Sequence, residues 1–309
     1  MALTGASGFI GGALLNALTD KGWHIRALTR RPRDDSESVE WVRGDLEDKR
    51  VLEGLVDNAF AVVHCAGAVR GNSKAHFDLN NAEGTANLVE ASSQQHSQPR
   101  LLFLSSLAAR APQLSWYASS KRLAEQYLLD RADVMPWAVF RPTAVYGPGD
   151  REIRPLLNAT RLGILPVVAR QGIRFSLLHI DDLVDAIMSW ISSPVPVRGV
   201  FELDDGTPGG YDWRSLITIA EQVWERPVRT IPIPLFALFI FANMNLWSSR
   251  LFRYEPILTP GKARELAHPD WVCDNTPLTQ ALGWHPRVNL RNALHDACPD
   301  THIKISARD

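Results

Sequence analysis

The sequence has few cysteines, almost no net charge and no long hydrophobic run. Its three cysteines, Cys65, Cys273 and Cys298, are far apart and odd in number, which argues against a disulfide framework and fits a reducing compartment. No cysteine or histidine group has zinc-site spacing, so we expect no metal. A formal net charge of −1 gives no electrostatic reason to expect a nucleic-acid or anionic-membrane partner. The longest apolar run, Leu235 to Ala242, is much shorter than the roughly 20 residues that span a bilayer.

The start of the chain also lacks the features of an exported protein. No charged leader is followed by an apolar run, which predicts a cytoplasmic location. Only Met1-Ala2-Leu3 precede the first turn motif, whereas a strand usually has about five or six residues. We therefore interpret the start of the chain as truncated or wrongly assigned.

A glycine-rich segment, residues 4–11, is present instead and leads into a helical pattern of leucines. Gly5 allows a sharp turn, Gly8 removes a side chain where a pyrophosphate approaches, and Gly11 lets the helix lie close to a sheet. The helix N-terminus adds free N–H groups and partial positive charge. An ordinary tight turn is the alternative. The predicted dinucleotide contacts in this segment are Gly5, Ser7, Gly8, Phe9, Ile10 and Gly11.

Strand-like and helical segments alternate over the first two thirds of the chain. The predicted strands are 24–29, 39–42, 61–64, 101–104, 137–140 and 200–203, and the predicted helices are 10–21, 49–56, 73–92, 116–130 and most of 177–190 after a short strand. The alternation predicts an α/β fold, a Rossmann-type doubly wound parallel sheet with a smaller C-terminal substrate lobe. We assign 1–146 and 174–205 to the dinucleotide-binding domain and 147–173 and 206–309 to the lobe. Ligands in such sheets bind beyond the carboxyl ends of the strands, where Asp45, Gly67 and Ser106 fall.

Tyr117 and Lys121 form the pair most indicative of catalysis. They lie four residues apart in a predicted helix, which places both side chains on one face. A phenol ionises at a pKa near 10, and a neighbouring ammonium group lowers that pKa, so Lys121 is expected to make Tyr117 an acid or base. Ser106 follows a buried strand in the same α/β unit and is placed to bond a substrate oxygen. A surface tyrosine and lysine on an amphipathic helix is the alternative interpretation.

The ordered set of motifs resembles the extended short-chain dehydrogenase/reductase family. The motifs are the glycine turn, Gly44-Asp45-Leu46, Cys65-Ala66-Gly67, Asn81-Ala82-Glu83-Gly84-Thr85, Ser105-Ser106, Tyr117 with Lys121, 141–148 and 179–183. That family includes nucleotide-sugar epimerases and dehydratases, flavonoid reductases and 3β-hydroxysteroid dehydrogenases. The match covers most of residues 2–205 and more weakly 258–290.

The resemblance implies a role for each matching position. Ser106, Tyr117 and Lys121 would be catalytic, with Lys121 also holding the nicotinamide ribose. The remaining cofactor contacts would be Asp45 and Leu46 at the adenine, Ala66 and Gly67 along the trough, Asn81 as a support of the active-site helix, and Pro142 along the nicotinamide. Asp45 as a simple turn residue and Asn81 as a buried helix kink are alternatives. His179 is expected to be structural, and the family commonly forms homodimers through the helix that carries Tyr117.

The residues after the second strand favour NADP over NAD. Members that prefer NAD usually have an acidic residue there for the ribose hydroxyls, whereas this chain has Thr29-Arg30-Arg31. Arg30 can pair with a 2′-phosphate in a bidentate way, and Ser7 adds a hydroxyl donor. If the arginines only begin a solvated loop, either cofactor binds.

The C-terminal lobe says less about the substrate. The apolar segment 234–247 is interpreted as a lid over a lipophilic substrate, an interfacial membrane segment or a buried helix. Its phenylalanines favour an apolar substrate over a nucleotide sugar, although arginines are available for a diphosphate at Arg151, Arg154, Arg161, Arg170, Arg174 and Arg253.

The sequence therefore predicts an NADP(H)-dependent oxidoreductase that acts on a carbonyl or secondary alcohol of a fairly apolar small molecule. A nucleotide-sugar epimerase or dehydratase is the first alternative. A non-catalytic nicotinamide sensor or assembly subunit is the second, although such proteins often lose the Tyr117 and Lys121 pair that this chain retains.

Overall fold

The computed structural model of this chain describes residues 1–131 and 133–296. Cys298 and the end of the predicted lobe, 297–309, lie outside these residues. The strands are β1 Ala2–Thr4, β2 Ile25–Thr29, β3 Val39–Arg43, β4 Ala61–His64, β5 Arg100–Leu104, β6 Trp137–Pro142, β7 Ala144–Tyr146, β8 Ile164–Val168, β9 Arg174–Phe175, β10 Leu177–His179, β11 Gly199–Leu203, β12 Arg229–Ile233 and β13 Asp270–Trp271.

The α-helices follow the strands in the order expected for an α/β chain. They are α1 Phe9–Asp20, α2 Lys49–Val56, α3 Lys74–Phe77, α4 Gly84–Ser93, α5 Trp116–Leu129, α6 Arg154–Arg161, α7 Ile180–Ser192, α8 Trp213–Trp224, α9 Leu235–Phe252, α10 Pro260–Leu266, α11 Thr276–Leu282 and α12 Leu290–Asp296. A π-helical segment, Asp78–Glu83, joins α3 to α4, and a 3-10 turn, Leu107–Arg110, precedes α5.

Seven parallel strands form the main sheet in the order β11-β6-β5-β4-β1-β2-β3. The predicted Rossmann-type doubly wound sheet is therefore confirmed. β1 has only three residues but lies in the middle, paired with both β2 and β4. The chain winds outward in opposite directions from β1 and β4, so the strand order reverses between them. Ligands of open α/β sheets bind at such a switch point.

Helices cover both faces of this sheet because alternate strand side chains point to opposite faces. On one face, Leu14 and Leu18 of α1 pack with Leu183 and Trp190 of α7 over Leu3, Val63, Leu102 and Phe140. On the other face, α2, α4 and α5 contribute Leu52, Leu88 and Leu128, which pack over Val62, Phe103 and Val139. These strands are buried on both faces, which explains their nearly continuous apolar sequences.

The chain after β6 adds small two-stranded sheets that the sequence did not predict. β8 pairs with β12, β9 with β13 and β7 with β10, all in parallel. Leu165, Val167, Leu216 and Val228 form a core of their own there. The division into two domains stays a prediction, and Leu278 and Trp284 from the predicted lobe pack into the main core.

Helix α9 is less buried than the buried-helix interpretation requires. Only Leu238, Ala242 and Ser249 of its eighteen residues are buried. By length and composition alone, α9 is also a candidate membrane span among the described residues, because the apolar pattern continues past Ala242 to Phe252. The longest uninterrupted apolar run covers only residues 235–242, so the sequence alone did not identify this longer apolar helix.

Candidate active site

The glycine turn after β1 has the backbone geometry that its residue types suggest. Gly5 has φ +75°, a left-handed conformation that other residues rarely adopt. A Cβ on Gly11 would lie 2.1 Å from the Gly5 carbonyl oxygen, so only glycine lets α1 approach the turn this closely. Gly8 precedes α1 with extended backbone, and no side chain of the described residues caps the helix there. The first N–H groups of α1 therefore stay available for an anion.

Ser7 and Gly8 are exposed on this turn, whereas Phe9 and Ile10 are partly buried in the first turn of α1. Ala66 and Gly67 follow β4 on the other side of the switch point, and a Cβ on Gly5 would lie 2.6 Å from the amide nitrogen of Ala66. The free N–H groups at the exposed start of α1, next to the point where the Gly5 and Ala66 backbones approach each other closely, fit the pyrophosphate of a dinucleotide. Contact between these residues and a cofactor stays a prediction.

Tyr117 and Ser106 lie near each other beyond the end of β5. Ser106 precedes the 3-10 turn and its Oγ accepts a hydrogen bond from the Ala108 amide at 3.2 Å. Tyr117 lies in the first turn of α5, and its ring packs edge-on against Phe77 with centroids 6.2 Å apart. Burial raises the pKa of Tyr117 to about 12, while a hydrogen bond with Ser106 acts in the opposite direction. The phenol is therefore protonated at neutral pH.

Lys121 lies one turn further along α5 and is 4% exposed. Its Nζ donates to the Leu104 carbonyl oxygen at 3.0 Å and lies 4.8 Å from the centroid of the Phe103 ring. Burial lowers the pKa of Lys121 to about 8. The expectation that Lys121 lowers the pKa of Tyr117 is not met, because burial of the phenol dominates and the ammonium group is directed to Leu104.

Asn81 fixes the position of α5 relative to the loop after β4. Its Oδ1 accepts from the Ala68 amide at 2.6 Å, and its Nδ2 donates to the Ala68 carbonyl at 3.0 Å and to Ser120 Oγ at 2.9 Å. Ser120 directly precedes Lys121. Asn81 belongs to the π-helical segment, so it is both a helix irregularity and a support of the active-site helix. A Cβ on Gly67 would lie 3.1 Å from both Asn81 Oδ1 and Lys121 Nζ.

A buried charge network beneath the site was not predicted from the sequence. Glu125 is fully buried, accepts from Ser105 Oγ at 2.6 Å, and binds Arg141 through Nε at 2.8 Å and Nη2 at 2.6 Å. The hydrogen bond to Glu125 raises the pKa of Arg141, so this guanidinium stays charged. The network ties α5 to the ends of β5 and β6. One feature of the sequence could have indicated this network: Glu125 follows Lys121 by four residues and therefore lies on the same face of the helix.

The lobe contacts the start of α5 through Glu265 of α10. Ser115 Oγ donates to Glu265 Oε1 and accepts from the Ala118 amide, so it caps α5 two residues before Tyr117. A Cβ on Gly261 would lie 2.8 Å from Ser115 Cβ, which allows α10 to lie directly on this turn. No local sequence pattern relates residues 150 positions apart, which is why Glu265 was missed.

His64 at the end of β4 is buried and neutral. Its Nδ1 lies 2.6 Å from Thr4 Oγ1, and its Nε2 lies 2.9 Å from Thr85 Oγ1. Burial, reinforced by the charge of Lys121, lowers its pKa to about 3. His64 therefore holds β1, β4 and α4 together. His179, expected to be structural, caps α7 by accepting from the Asp181 amide at 3.3 Å.

The predicted adenine end lies at the ends of β2 and β3. Arg30 is exposed directly after β2, and its side chain makes no ion pair with any residue that the structure describes. Asp45 is exposed and accepts from the Glu47 amide at 2.9 Å, which is the turn role considered as its alternative. Leu46 is partly buried, and Pro142 is buried at the end of β6.

Fold and site together define a Rossmann-type nucleotide-binding α/β protein with a tyrosine and a lysine on one helix beside a glycine turn. Residues 1–200 match the NAD dependent epimerase/dehydratase family, and the chain belongs to that family. This match confirms the family resemblance inferred from the motifs. Members of the family are NAD- or NADP-dependent enzymes.

Known relatives include both reductases and epimerases. The chain is 35% identical to ceramide reductase of Caulobacter vibrioides over 91% of this chain and 88% of the reductase. It is 28% identical to UDP-glucose 4-epimerase of Vibrio cholerae over 94% of this chain and 92% of the epimerase. The solved structure of MoeE5 in complex with UDP-glucuronic acid and NAD shares the fold, with a TM-score of 0.72, 23% identity, and coverage of 94% of this chain and 95% of MoeE5.

Proposed function

We propose that this protein is an NADP(H)-dependent oxidoreductase that reduces a carbonyl group, or oxidises the corresponding alcohol, on an apolar long-chain substrate. The observation that carries the proposal is the position of the Tyr117 hydroxyl group beside Ser106, with Lys121 one turn later on α5, at the carboxyl ends of the strands. The 35% identity to ceramide reductase supports a lipid-like substrate.

The residues around the switch point fit a nicotinamide dinucleotide. Gly5, Gly8 and the first N–H groups of α1 would hold the pyrophosphate, and Lys121 the nicotinamide ribose. Ala66, Gly67 and Pro142 would line the trough, with Asp45 and Leu46 at the adenine. When bound, the nicotinamide supplies or accepts the hydride, and the protein must orient the substrate and move a proton.

Tyr117 is the proton donor in the reduction direction. Because its pKa is about 12, its hydroxyl group is protonated at neutral pH and can donate to the carbonyl oxygen of the substrate. The hydrogen bond from Ser106 stabilises the phenolate that this transfer leaves. Asn81, through Ser120, and Glu125, through Ser105 and Arg141, keep α5 in place during the transfer.

Arg30 supports a preference for NADP. Its exposed guanidinium group has no carboxylate partner among the described residues, so it is available for a 2′-phosphate at the end of β2. Ser7 is exposed on the adjacent turn. We therefore propose that these two side chains select NADP, and that NAD binds more weakly.

The arginines of the lobe give less support to a nucleotide sugar. Arg170 donates to the Ala267 carbonyl oxygen and Arg174 to the carbonyl oxygen of Gly209 at 2.6 Å. Arg161 lies 6.0 Å from the Trp224 ring. Three of the six candidate diphosphate ligands are thus already engaged. Helix α9, in contrast, has exposed apolar side chains and packs against α10.

A Tyr117→Phe variant tests the proposed chemistry. We expect the variant to lose turnover with NADPH and a long-chain ketone by about a hundredfold or more, because the proton donor is removed. Its affinity for NADPH, measured by fluorescence, should stay unchanged. Tyr127→Phe, on the same helix but away from the site, is the matched control. Full activity in Tyr117→Phe would remove the phenol from the mechanism.

An Arg30→Asp variant tests the cofactor assignment. A charge-assisted bidentate contact contributes about 1.5–3 kcal/mol, so the preference for NADP over NAD should fall about tenfold or more. Arg33→Gln, in the same loop and stacked 4.7 Å from Trp41, is the control. An unchanged ratio would exclude Arg30 from 2′-phosphate recognition.

The second candidate is a nucleotide-sugar epimerase, favoured by the identity to UDP-glucose 4-epimerase. In that case the purified protein would retain NAD and interconvert UDP-sugars with no net oxidation of the cofactor. Reduction of ketones with consumption of free NADPH supports the first candidate instead.

A further inference from the structure

Helix α9 presents a large apolar surface, which we call the α9 apolar face. Its side chains are between 53% and 70% exposed. Soluble monomers rarely expose contiguous apolar patches above a few hundred Å², and larger ones mark interaction sites. The face consists of Phe236, Ile240, Phe241, Met244, Trp247, Leu251 and Phe252.

These side chains share one side of α9 because most of them recur every three or four residues. The opposite side holds Leu238 and Ala242, which are buried against the lobe. Asn245 Nδ2 also donates to the Leu258 carbonyl at 2.9 Å, and Arg250 Nε lies 3.5 Å from the Asn72 carbonyl oxygen. The helix is therefore attached along its length and does not project from the lobe.

The C-terminal end of the α9 apolar face carries two arginines that form no ion pair with a described residue. α9 contains no aspartate or glutamate, and its one charged residue is Arg250. Arg250 and the following Arg253 are exposed, and neither forms an ion pair with a residue in the described part of the chain. Glu255 is the nearest acidic residue after them. Trp247 and Tyr254 add the aromatic groups that favour membrane–water interfaces.

We propose that α9 lies in the surface of an anionic lipid bilayer, with the α9 apolar face among the acyl chains and Arg250 and Arg253 at the level of the phosphates. The near-zero net charge of the whole chain does not oppose this arrangement, because the two arginines act locally. A second copy of this chain is a poorer occupant. A parallel twofold contact between two α9 helices would bring four arginines together, and an antiparallel one would give neither arginine pair a carboxylate from the partner helix.

The orientation follows from the attachment of α9 to the lobe. At 1.5 Å per residue an eighteen-residue helix is about 27 Å long and could cross the hydrocarbon core. Leu238 and Ala242 must nevertheless stay packed on the lobe, so the helix lies in the plane of the interface.

The membrane-facing helix is followed in the chain by a helix that contacts the start of α5. The α10 helix follows α9 and packs on Ser115, two residues before Tyr117. A lipid held at the α9 apolar face would therefore lie close to the helix that contacts the start of α5. This last step rests on the proposed function, whereas membrane binding itself does not.

Flotation of the full chain with vesicles of phosphatidylcholine, with and without phosphatidylglycerol, tests the proposal. We expect binding that is stronger on the anionic vesicles and weaker in high salt. The Phe236→Ser/Phe241→Ser double variant should lose about tenfold or more in partitioning. Val195→Ser is the matched control, because Val195 is 70% exposed and lies far along the chain from α9. Arg250→Gln/Arg253→Gln should lose about tenfold of the preference for phosphatidylglycerol, with Lys21→Gln as its control.

Quenching by brominated lipids provides a measurement that does not depend on the double variant. Trp247 should be quenched by vesicles with brominated acyl chains, and Trp247→Phe should lose that part of the signal. Wild-type protein that does not float with either vesicle type overturns the proposal, as does equal binding by the Phe236→Ser/Phe241→Ser variant.

The test also separates membrane binding from dimerisation and from catalysis. A lipid-free dimer that Phe236→Ser/Phe241→Ser dissociates would assign the α9 apolar face to a second copy and overturn the proposal. Flotation needs neither cofactor nor substrate, so a negative result leaves the proposed reduction standing. Conversely, vesicle binding by a protein that reduces no ketone would refute only the proposed function.

Discussion

Replacing Lys121 with methionine should stabilise the protein by an amount that depends on pH. The ammonium group of Lys121 is 4% exposed, and its one hydrogen-bond partner among the described residues is the Leu104 carbonyl. Burial lowers its pKa from 10.5 to about 8. Charging this side chain therefore costs about 3 kcal/mol more in the folded state than in the unfolded state.

The sign of the pH dependence follows from proton binding. Between about pH 8 and the ordinary pKa of 10.5, the unfolded state binds more protons than the folded state at this site, so stability rises with pH. The full cost is present below about pH 8, and about 1 kcal/mol of it remains at about pH 9.5. The variant escapes this cost, whereas its loss of the Leu104 hydrogen bond is nearly the same at every pH.

Urea unfolding of both proteins at about pH 7 and about pH 9.5 measures the effect. The free energy of unfolding of Lys121→Met minus that of wild type should be about 2 kcal/mol larger at the lower pH. The exposed Lys21→Met provides the control, because its charge stays in water in both states. A difference that is equal at the two pH values would refute the cost of burying the Lys121 charge.

Two further predictions concern buried polar groups near the site. When the pH falls from about 7 to about 5, wild type should lose about 2 kcal/mol more stability than His64→Asn, because the pKa of His64 is about 3 in the folded state and 6.5 in the unfolded state. Urea unfolding of both proteins at the two pH values measures this difference. Equal losses of stability in the two proteins contradict the prediction. Glu125→Gln should destabilise the protein by about 2–4 kcal/mol because Arg141 keeps its buried charge and loses its close ion pair, with the longer one to Glu202, at 3.7 Å, remaining. Denaturant unfolding of the two single variants and the double variant checks this prediction. Glu125→Gln/Arg141→Gln should lose less free energy of unfolding than the two single variants lose together, and strictly additive losses contradict the prediction.

Local patterns were enough to predict the main sheet and the positions of its loops. Predicted and observed bounds of α2 and β4 agree, and the turn at Gly5 and Gly11 has the geometry that its glycines suggest. These features depend on neighbouring residues and on strands buried on both faces, which have strong periodic or continuous apolar signals.

Contacts between distant segments could not be predicted in the same way. The bond between Ser115 and Glu265 joins residues far apart in the chain, and the pairing of β8 with β12 depends on how the lobe folds back on itself. The predicted effect of Lys121 on the pKa of Tyr117 was wrong for a related reason. Spacing places Tyr117 and Lys121 on one face, but it does not reveal that burial outweighs their mutual influence or that Leu104 takes the ammonium group.

The π-helical segment between α3 and α4 absorbs one extra residue in this helical region. Upstream of it, the Phe77 ring packs on Tyr117, and downstream Thr85 Oγ1 lies 2.9 Å from His64 Nε2. A π turn holds one residue more than an α turn, so deleting one residue within Asp78–Glu83 would close it to an α turn with little rotation of the two ends relative to each other. The same deletion within the regular turns of α4 would rotate the residues beyond it by about 100°. One-residue deletions should therefore be tolerated better in the π-helical segment than in α4.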